Sequence, residues 1–160
     1  RHMSELGSFT PPRRMEEKKK KNPFTLTFNN DFPSVIKNCS RPAPGRESTW
    51  ISSGFISAYT ALHQAGYAHS VEAWDGDKLV GGVYGVALGG FFAGESMFHH
   101  VTDASKIALA YLFEHLKKRG FQLFDTQVLS PLTEQLGGIE IGRTTYLRRL
   151  KKALTTPVTF

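Results

Sequence analysis

The chain has 160 residues, 40% of them hydrophobic and 12% aromatic, which fits one globular domain with a real core and excludes a chain disordered throughout. Its net charge of +6 is uneven: residues 1–40 carry eight Lys/Arg against four Asp/Glu, residues 41–140 seven against ten, and residues 141–160 five against none. The longest uncharged apolar stretch, residues 79–94, holds six glycines and is shorter than the roughly 18 residues a membrane span requires.

Arg1, His2 and Met3 read as an expression scar. Residues 4–22 are polar, proline-containing and close on four consecutive lysines without either period, so residues 1–22 are expected to be a scar plus a basic mobile arm, and residues 23–160 the folded domain. Residues 25–28 read as a short strand. Asn30 then caps a helix whose apolar positions Phe32, Val35, Ile36 and Cys39 follow i, i+3, i+4, i+7. Cys39, the only cysteine, belongs in that core; with no internal disulfide the chain fits a reducing cytoplasm. A loop with Pro42, Pro44 and Gly45 leads past Trp50 to a second helix from about Ser53, with Phe55, Ala58, Tyr59 and Leu62 on one face and Gly66 as its stop.

An antiparallel meander follows: strands over residues 69–74, 79–87 and 91–95, joined by Asp75-Gly76-Asp77 and Gly89-Gly90. Asp103 caps a helix to Arg119 with Leu109, Leu112, Phe113 and Leu116 at core spacing and Gly120 at its end. A fourth strand over residues 121–128 carries Asp125 and Gln127 on one face, two residues apart. Residues 131–138 read as a short helix and turn, and residues 143–154 as a final basic helix. Two basic clusters, residues 13–21 and 143–152, fit either a solvated surface or the track of a phosphate backbone. His99, His100 and His115 lack partners at metal-ligand spacing, so no metal is expected.

Glu95 closes the apolar run of residues 79–98, where a carboxylate costs free energy unless it has a partner or a task. The element order from His69 onward, three antiparallel strands, a helix, a strand and a helix, is that of an N-acyltransferase core. This predicts an α+β, GNAT-like fold: a mixed, largely antiparallel sheet flanked by helices. A pyrophosphate-holding turn into the central helix needs glycine, and the segment 96–102 has none while carrying the bulk of Met97 and Phe98. An acyl donor other than coenzyme A is expected, and no cofactor.

The runs STWI (residues 48–51), AHSVEAW (68–74), LVGGVYGVALG (79–89), GESMF (94–98), DASK (103–106), DTQV (125–128) and LGGIEIGRTTYL (136–147) resemble the bacterial leucyl/phenylalanyl-tRNA-protein transferases, over residues 22–154. The resemblance implies a cytoplasmic enzyme of the N-degron route that moves Leu, Phe or Met from aminoacyl-tRNA to the α-amine of proteins beginning with Lys or Arg. It implies that Trp50 packs on the 3′-terminal adenosine, and that Tyr59, Val83, Phe92, Met97 and Phe124 line the amino-acid pocket. Val83 stands where the family commonly has Met. Asp125 and Gln127 correspond to the catalytic carboxylate and amide, and Glu95 to the carboxylate near the acceptor amine. Arg13, Arg14, Lys18, Lys19, Lys20 and Lys21, with Lys106, are the candidates for the tRNA backbone. The family usually carries a further N-terminal domain ahead of that basic segment, of which this chain has only a short arm. Two readings of other classes remain beside it: a coenzyme A-dependent N-acetyltransferase on the same fold, and a non-catalytic tRNA-binding module that needs the basic ends but not Asp125.

Overall fold

The structure, a computed structural model, describes residues 2–5, 17, 21–42 and 47–160. Arg13, Arg14, Lys18, Lys19 and Lys20 lie outside the described residues, as do Pro44 and Gly45. The described elements are β1 (His2–Glu5), β2 (Thr25–Phe28), α1 (Phe32–Cys39), α2 (Ser53–Gln64), β3 (Ala68–Asp75), β4 (Lys78–Leu88), β5 (Phe91–His99), α3 (Ala104–Arg119), β6 (Leu123–Gln127), α4 (Pro131–Gln135), β7 (Gly138–Glu140) and α5 (Arg143–Leu154).

The periodicity of α1 translates directly into burial: Phe32, Val35, Ile36 and Cys39 are all fully buried, worth roughly 1.5–3 kcal/mol for each large apolar side chain. Its cap is Asp31 rather than Asn30, because the Asp31 carboxylate accepts from the Ser34 N–H at 3.1 Å. Helix α2 departs from expectation. None of its residues is buried, Phe55 and Leu62 point outward, and only Ile56 and Tyr59 reach the core. It ends as foreseen, with Gly66 at φ +82 and paired bonds from Tyr67 N–H to Leu62 O and Gly66 N–H to His63 O. Helix α3 stops in the same way at Gly120, φ +86.

Seven strands form one sheet in the order β2-β3-β4-β5-β6-β1-β7, antiparallel at every junction but β5–β6, which is parallel. The expected mixed, largely antiparallel sheet flanked by helices is present. Three boundaries differ. β5 runs on to His99 instead of ending at Glu95, so the loop into α3 is only residues 100–103. Residues 138–140 form β7, which takes in the last residue of the short helix and turn expected over 131–138 and two residues beyond it. His2–Glu5, read as scar and arm, is a strand between β6 and β7, with Met3 opposite Asp125 and Ile139.

Residues facing each other across an antiparallel pair share a face of the sheet. Val83, Phe92 and Phe124 meet α3 through Leu109, Leu112, Phe113 and Leu116 on one face. Tyr84 and Phe98 meet α1 and α2 on the other, where α5 also packs Tyr146, Leu150 and Ala153 against Phe91 and Leu123. α3 lies close on β4 because Gly81 has no side chain: a Cβ there would fall 2.5 Å from the Ala104 Cβ and 2.9 Å from the Ser105 nitrogen.

A second feature of the core is titratable. Phe160 stacks on His69 with ring centroids 4.1 Å apart and leans on His115 at 4.5 Å. His69 Nε2 meets Gly66 O at 3.1 Å and its Nδ1 meets the Asn29 amide nitrogen at 3.1 Å. Because Asn29 Oδ1 already accepts from the Ser70 N–H, this arrangement fixes a neutral imidazole with its proton on Nε2. Burial lowers the His69 pKa to about 4, opposed by the Gly66 carbonyl and reinforced by His63 and His115; burial, with Arg119 and Lys118, lowers that of His115 as well. Between the ordinary histidine value near 6.5 and about 4, the unfolded chain therefore binds the protons that the native chain refuses. The expected result is stability that falls as pH drops through that window, and a His69→Gln variant whose melting temperature falls less than that of the wild type between pH 7 and pH 4.5. Parallel melting curves for the two proteins would overturn it.

Candidate functional site

The site forms where β5 and β6 part. They pair at Phe91↔Leu123, Phe92↔Phe124 and Ala93↔Asp125, and there the pairing ends. Two irregularities open the gap. On β5, the partners of Tyr84 and Gly85 are Ser96 and Gly94, so Glu95 is the extra residue of a bulge. On β6, Gln127 takes φ +61, and the Val128 N–H folds back to Thr126 O at 2.6 Å. A Cβ on Gly94 would lie 2.8 Å from the Phe124 ring, so glycine is what lets β5 pass over that wall.

Between the parted strands lies a cavity of about 120 Å³. Val83, Met97, Leu109 and Phe124 form its apolar wall, and Glu95, Ser96, Thr126 and Thr133 supply polar groups. It is somewhat smaller than the cavity of about 150 Å³ that accepts a benzene ring, so this space is of the order of one leucine side chain. Of the five residues expected to line the amino-acid pocket, Val83, Met97 and Phe124 meet here, with Glu95 beside them, and Tyr59 is not part of this lining. Phe92 is not part of the wall: it is fully buried beneath it, stacked on Phe124 at 5.6 Å and 9° and on Phe160 at 5.9 Å. The strand alternation that puts Phe92 on the α3 face also puts it one pair deeper, where β5 and β6 are still zipped.

Asp125 sits on the opposite face at the last paired position. It is fully buried, accepting from the Gln127 N–H at 2.8 Å and from the Tyr146 hydroxyl at 2.7 Å. The left-handed backbone at Gln127 is what turns its N–H onto that carboxylate, and it sends the side-chain amide across the gap to Gly94 O at 3.3 Å. Asp125 and Gln127 thus act as one unit spanning both strands. Tyr146 was missed by sequence reasoning. Its signal was present, since Tyr146, Leu150 and Ala153 follow i, i+4, i+7 and so mark the inward stripe of α5.

Tyr59 lies near enough to Glu95 to feel its charge: burial first, then that charge and the polar interaction between the two side chains, push the Tyr59 pKa up to about 12. Tyr84, edge-on to Tyr59 at 5.6 Å, is fully buried and raised above the ordinary phenol value chiefly by burial, and its hydroxyl has no hydrogen-bond partner. From Tyr59 an aromatic file runs outward through Phe55, at 6.2 Å, to Trp50, which meets Phe55 edge-on at 5.2 Å and is 51% exposed. A carboxylate at the inner end and an exposed indole at the outer one give a track suited to a ring and a cation.

The other basic candidates lie elsewhere. Lys106 pairs with Asp103 at 3.4 Å. Lys21 lines a groove of about 500 Å³ with Phe24, Asp75, Thr102 and Asp103. In the loop ahead of α3, the His100 and Val101 N–H groups both donate to Val80 O, at 2.7 and 3.3 Å. Those two donors are unavailable to a pyrophosphate. Among the described residues no group of three or more His, Cys, Asp and Glu side chains is placed to hold a metal ion, and no helix is long and apolar enough to cross a membrane.

Residues 4–151 match the leucyl/phenylalanyl-tRNA protein transferase family. A leucyl/phenylalanyl-tRNA–protein transferase of Hyphomonas neptunium is 47% identical over 155 residues, covering 97% of this chain and 60% of the relative. One from Caulobacter vibrioides is also 47% identical, covering 97% and 71%, and one from Chlorobium limicola is 43% identical, covering 97% and 80%. The chain thus spans about three fifths to four fifths of the length of these relatives. Among solved structures, L-PGS from Bacillus licheniformis aligns with a TM-score of 0.53 at 12% identity, over 93% of this chain and 55% of that one. The C-terminal domain of a putative lysylphosphatidylglycerol synthetase from Agrobacterium fabrum aligns at 0.51 and 9% identity, over 95% and 51%. At such identities these two likenesses concern the fold alone.

Proposed function

Because the chain belongs to the leucyl/phenylalanyl-tRNA protein transferase family, we propose that it transfers Leu, Phe or Met from aminoacyl-tRNA to the α-amine of proteins that begin with Lys or Arg, marking them for the N-degron route in the cytoplasm. The observation that carries this reading is the buried Asp125, held by Tyr146 and Gln127 beside an apolar cavity of leucine size. Residues 23–160, joined by the strand β1, are the transferase domain in this reading, on a GNAT-like fold whose parted parallel strands admit the acyl group.

The chemistry asks little of the protein beyond placement, since an aminoacyl ester is already activated. The acceptor must lose its ammonium proton, lie about 3 Å from the ester carbonyl, and have its tetrahedral oxyanion stabilised. Asp125 takes that proton, with Gln127 fixing its orientation. Nitrogen attacks the carbonyl carbon, the ester C–O bond breaks, and the second proton of the attacking nitrogen passes to the departing ribose oxygen, leaving one N–H in the amide. The donor side chain occupies the space bounded by Val83, Met97 and Phe124, while Phe92 braces Phe124 from behind. Glu95, near Tyr59, receives the cationic acceptor, and Trp50 offers an exposed ring to the terminal adenine. Lys21 and Lys106 serve the RNA backbone together with Arg13, Arg14, Lys18, Lys19 and Lys20.

The coenzyme A alternative is disfavoured by the loop ahead of α3, whose His100 and Val101 N–H groups are already engaged. One assay separates the readings: radiolabelled Leu-tRNA, or labelled acetyl-CoA, is incubated with the protein and a peptide beginning with Arg. Label from Leu-tRNA in the peptide supports the transferase. Label from acetyl-CoA overturns it, and label from neither, with salt-dependent tRNA binding, identifies a binding module. Within the transferase reading Tyr146 is a positioning residue. Tyr146→Phe is expected to slow single-turnover transfer about tenfold, the worth of one hydrogen bond to a charged group, while leaving the affinity for Leu-tRNA unchanged.

A further inference from the structure

Helix α5 is fixed from within and charged from without. Tyr146 and Ala153 are buried and Leu150 packs beside them, so the inward stripe is fully occupied by β5 and β6. Arg143, Arg148, Lys151 and Lys152 are exposed; at 100° per residue Arg148, Lys151 and Lys152 fall on the half of the helix opposite Tyr146, while Arg143 stands at the helix start, about 60° from it. Residues 141–160 contain no Asp or Glu to neutralise them. Arg143 also stands in a first turn that has no acidic residue and no side-chain cap, so it adds to the positive end of the helix dipole rather than opposing it. An anion at this face relieves both unfavourable terms.

We propose that the outer face of α5 is a docking surface for the phosphate backbone of the donor RNA, lying directly behind the catalytic strand; this rests on the reading that the donor is an aminoacyl-tRNA. From Arg148 to Lys152 the outward stripe is about 6 Å long at 1.5 Å per residue, which matches roughly two phosphates of one strand at 3.4 Å each along the axis. The same helix donates the Tyr146 hydroxyl to Asp125, so RNA held on its outside is held at a fixed distance from the reacting carboxylate. A lipid surface fits less well. A helix that lies in a membrane interface must sink its apolar face, and the apolar stripe of α5 is spent on the sheet, leaving only Leu147 and Leu154 half-exposed and seven residues apart.

The test uses the whole chain with Arg148→Glu and Lys152→Glu combined, and Lys151→Ala with Lys152→Ala as a milder second variant in case the first folds poorly. Fluorescence anisotropy measures the binding of Leu-tRNA and of deacylated tRNA at about 50 and 200 mM salt, the range over which phosphate contacts weaken binding by orders of magnitude. The charge reversal is expected to weaken binding at least tenfold at the lower salt, and to reduce the slope of log affinity against log salt by about two, one for each phosphate contact. Transfer at saturating Leu-tRNA stays at the wild-type rate. Unchanged affinity and slope in both variants overturn the proposal, as does loss of binding to anionic phospholipid vesicles with tRNA binding intact. If the wild type binds tRNA through α5 but transfers no leucine, the docking surface stands and the transferase reading falls; if it transfers leucine and the variants match its KM and salt slope, the reverse holds.

Discussion

Asp125→Asn is expected to slow single-turnover transfer of leucine to an Arg-initiated peptide by about a hundredfold or more, while the affinity for Leu-tRNA stays within about twofold of the wild type. The magnitude is that of a lost general base, about 10²–10⁴. The local structure makes the comparison clean. Asparagine keeps an oxygen to accept the Gln127 N–H now bound at 2.8 Å, and the Tyr146 hydroxyl, now donating at 2.7 Å, can turn to accept from the new amide. Packing is preserved, and the capacity to take a proton is lost. The cavity proposed for the donor side chain lies on the other face of β6, lined by Phe124 and Thr126, so in that reading seating of the aminoacyl group is not disturbed. A normal transfer rate in a folded variant would remove Asp125 from the chemistry and leave the cavity as a binding site only.

How far the sequence foretold this arrangement depends on how local each signal is. The face of α1 followed from spacing alone, as did the three-stranded meander, whose turns are marked by Asp75-Gly76-Asp77 and Gly89-Gly90. α3 and α5 came out at their expected bounds to within a residue. The misses are pairings whose stabilisation comes from distant partners. His2–Glu5 and Gly138–Glu140 have four and three residues with no apolar alternation, and they are strands only because β6 offers an open edge to β1 and β1 another to β7. The outward face of α2 misled for a related reason. Phe55 and Leu62 have core-like spacing, but the sheet beneath α2 is already filled by Tyr84 and α1, so only Ile56 and Tyr59 find room. The residues of the candidate site were singled out one by one, as residue types in a resembling pattern. What was not legible is the bulge at Glu95 and the left-handed turn at Gln127, and those two irregularities open the space between the strands.

The second large effect expected is on stability, at Glu72. This carboxylate is fully buried on the α1 face of β3, with no lysine or arginine among its hydrogen-bond partners. It accepts from the Thr27 hydroxyl at 2.7 Å and from the Ser70 hydroxyl, with longer contacts to the Asn30 and Asp31 N–H groups at 3.4 and 3.5 Å. Thr27 in turn accepts from the Trp74 indole at 2.8 Å. One side chain thus ties β2 to β3 and closes the turn that delivers Asp31 to the head of α1. Glu72→Ala leaves two hydroxyls and two backbone N–H groups without their acceptor, at a cost of about 3 kcal/mol. For a chain of this size that corresponds to a fall in melting temperature of about 6–12 °C. Glu72→Gln keeps one carbonyl oxygen for the hydroxyls and is expected to lose about half as much. The check is thermal unfolding followed by circular dichroism, with Thr27→Val as a companion: Thr27 and Glu72 touch, so the double variant should lose less than the two single losses combined. Additive losses, or an alanine variant that melts with the wild type, would mean that the turn holds itself and that α1 is anchored by its apolar stripe alone.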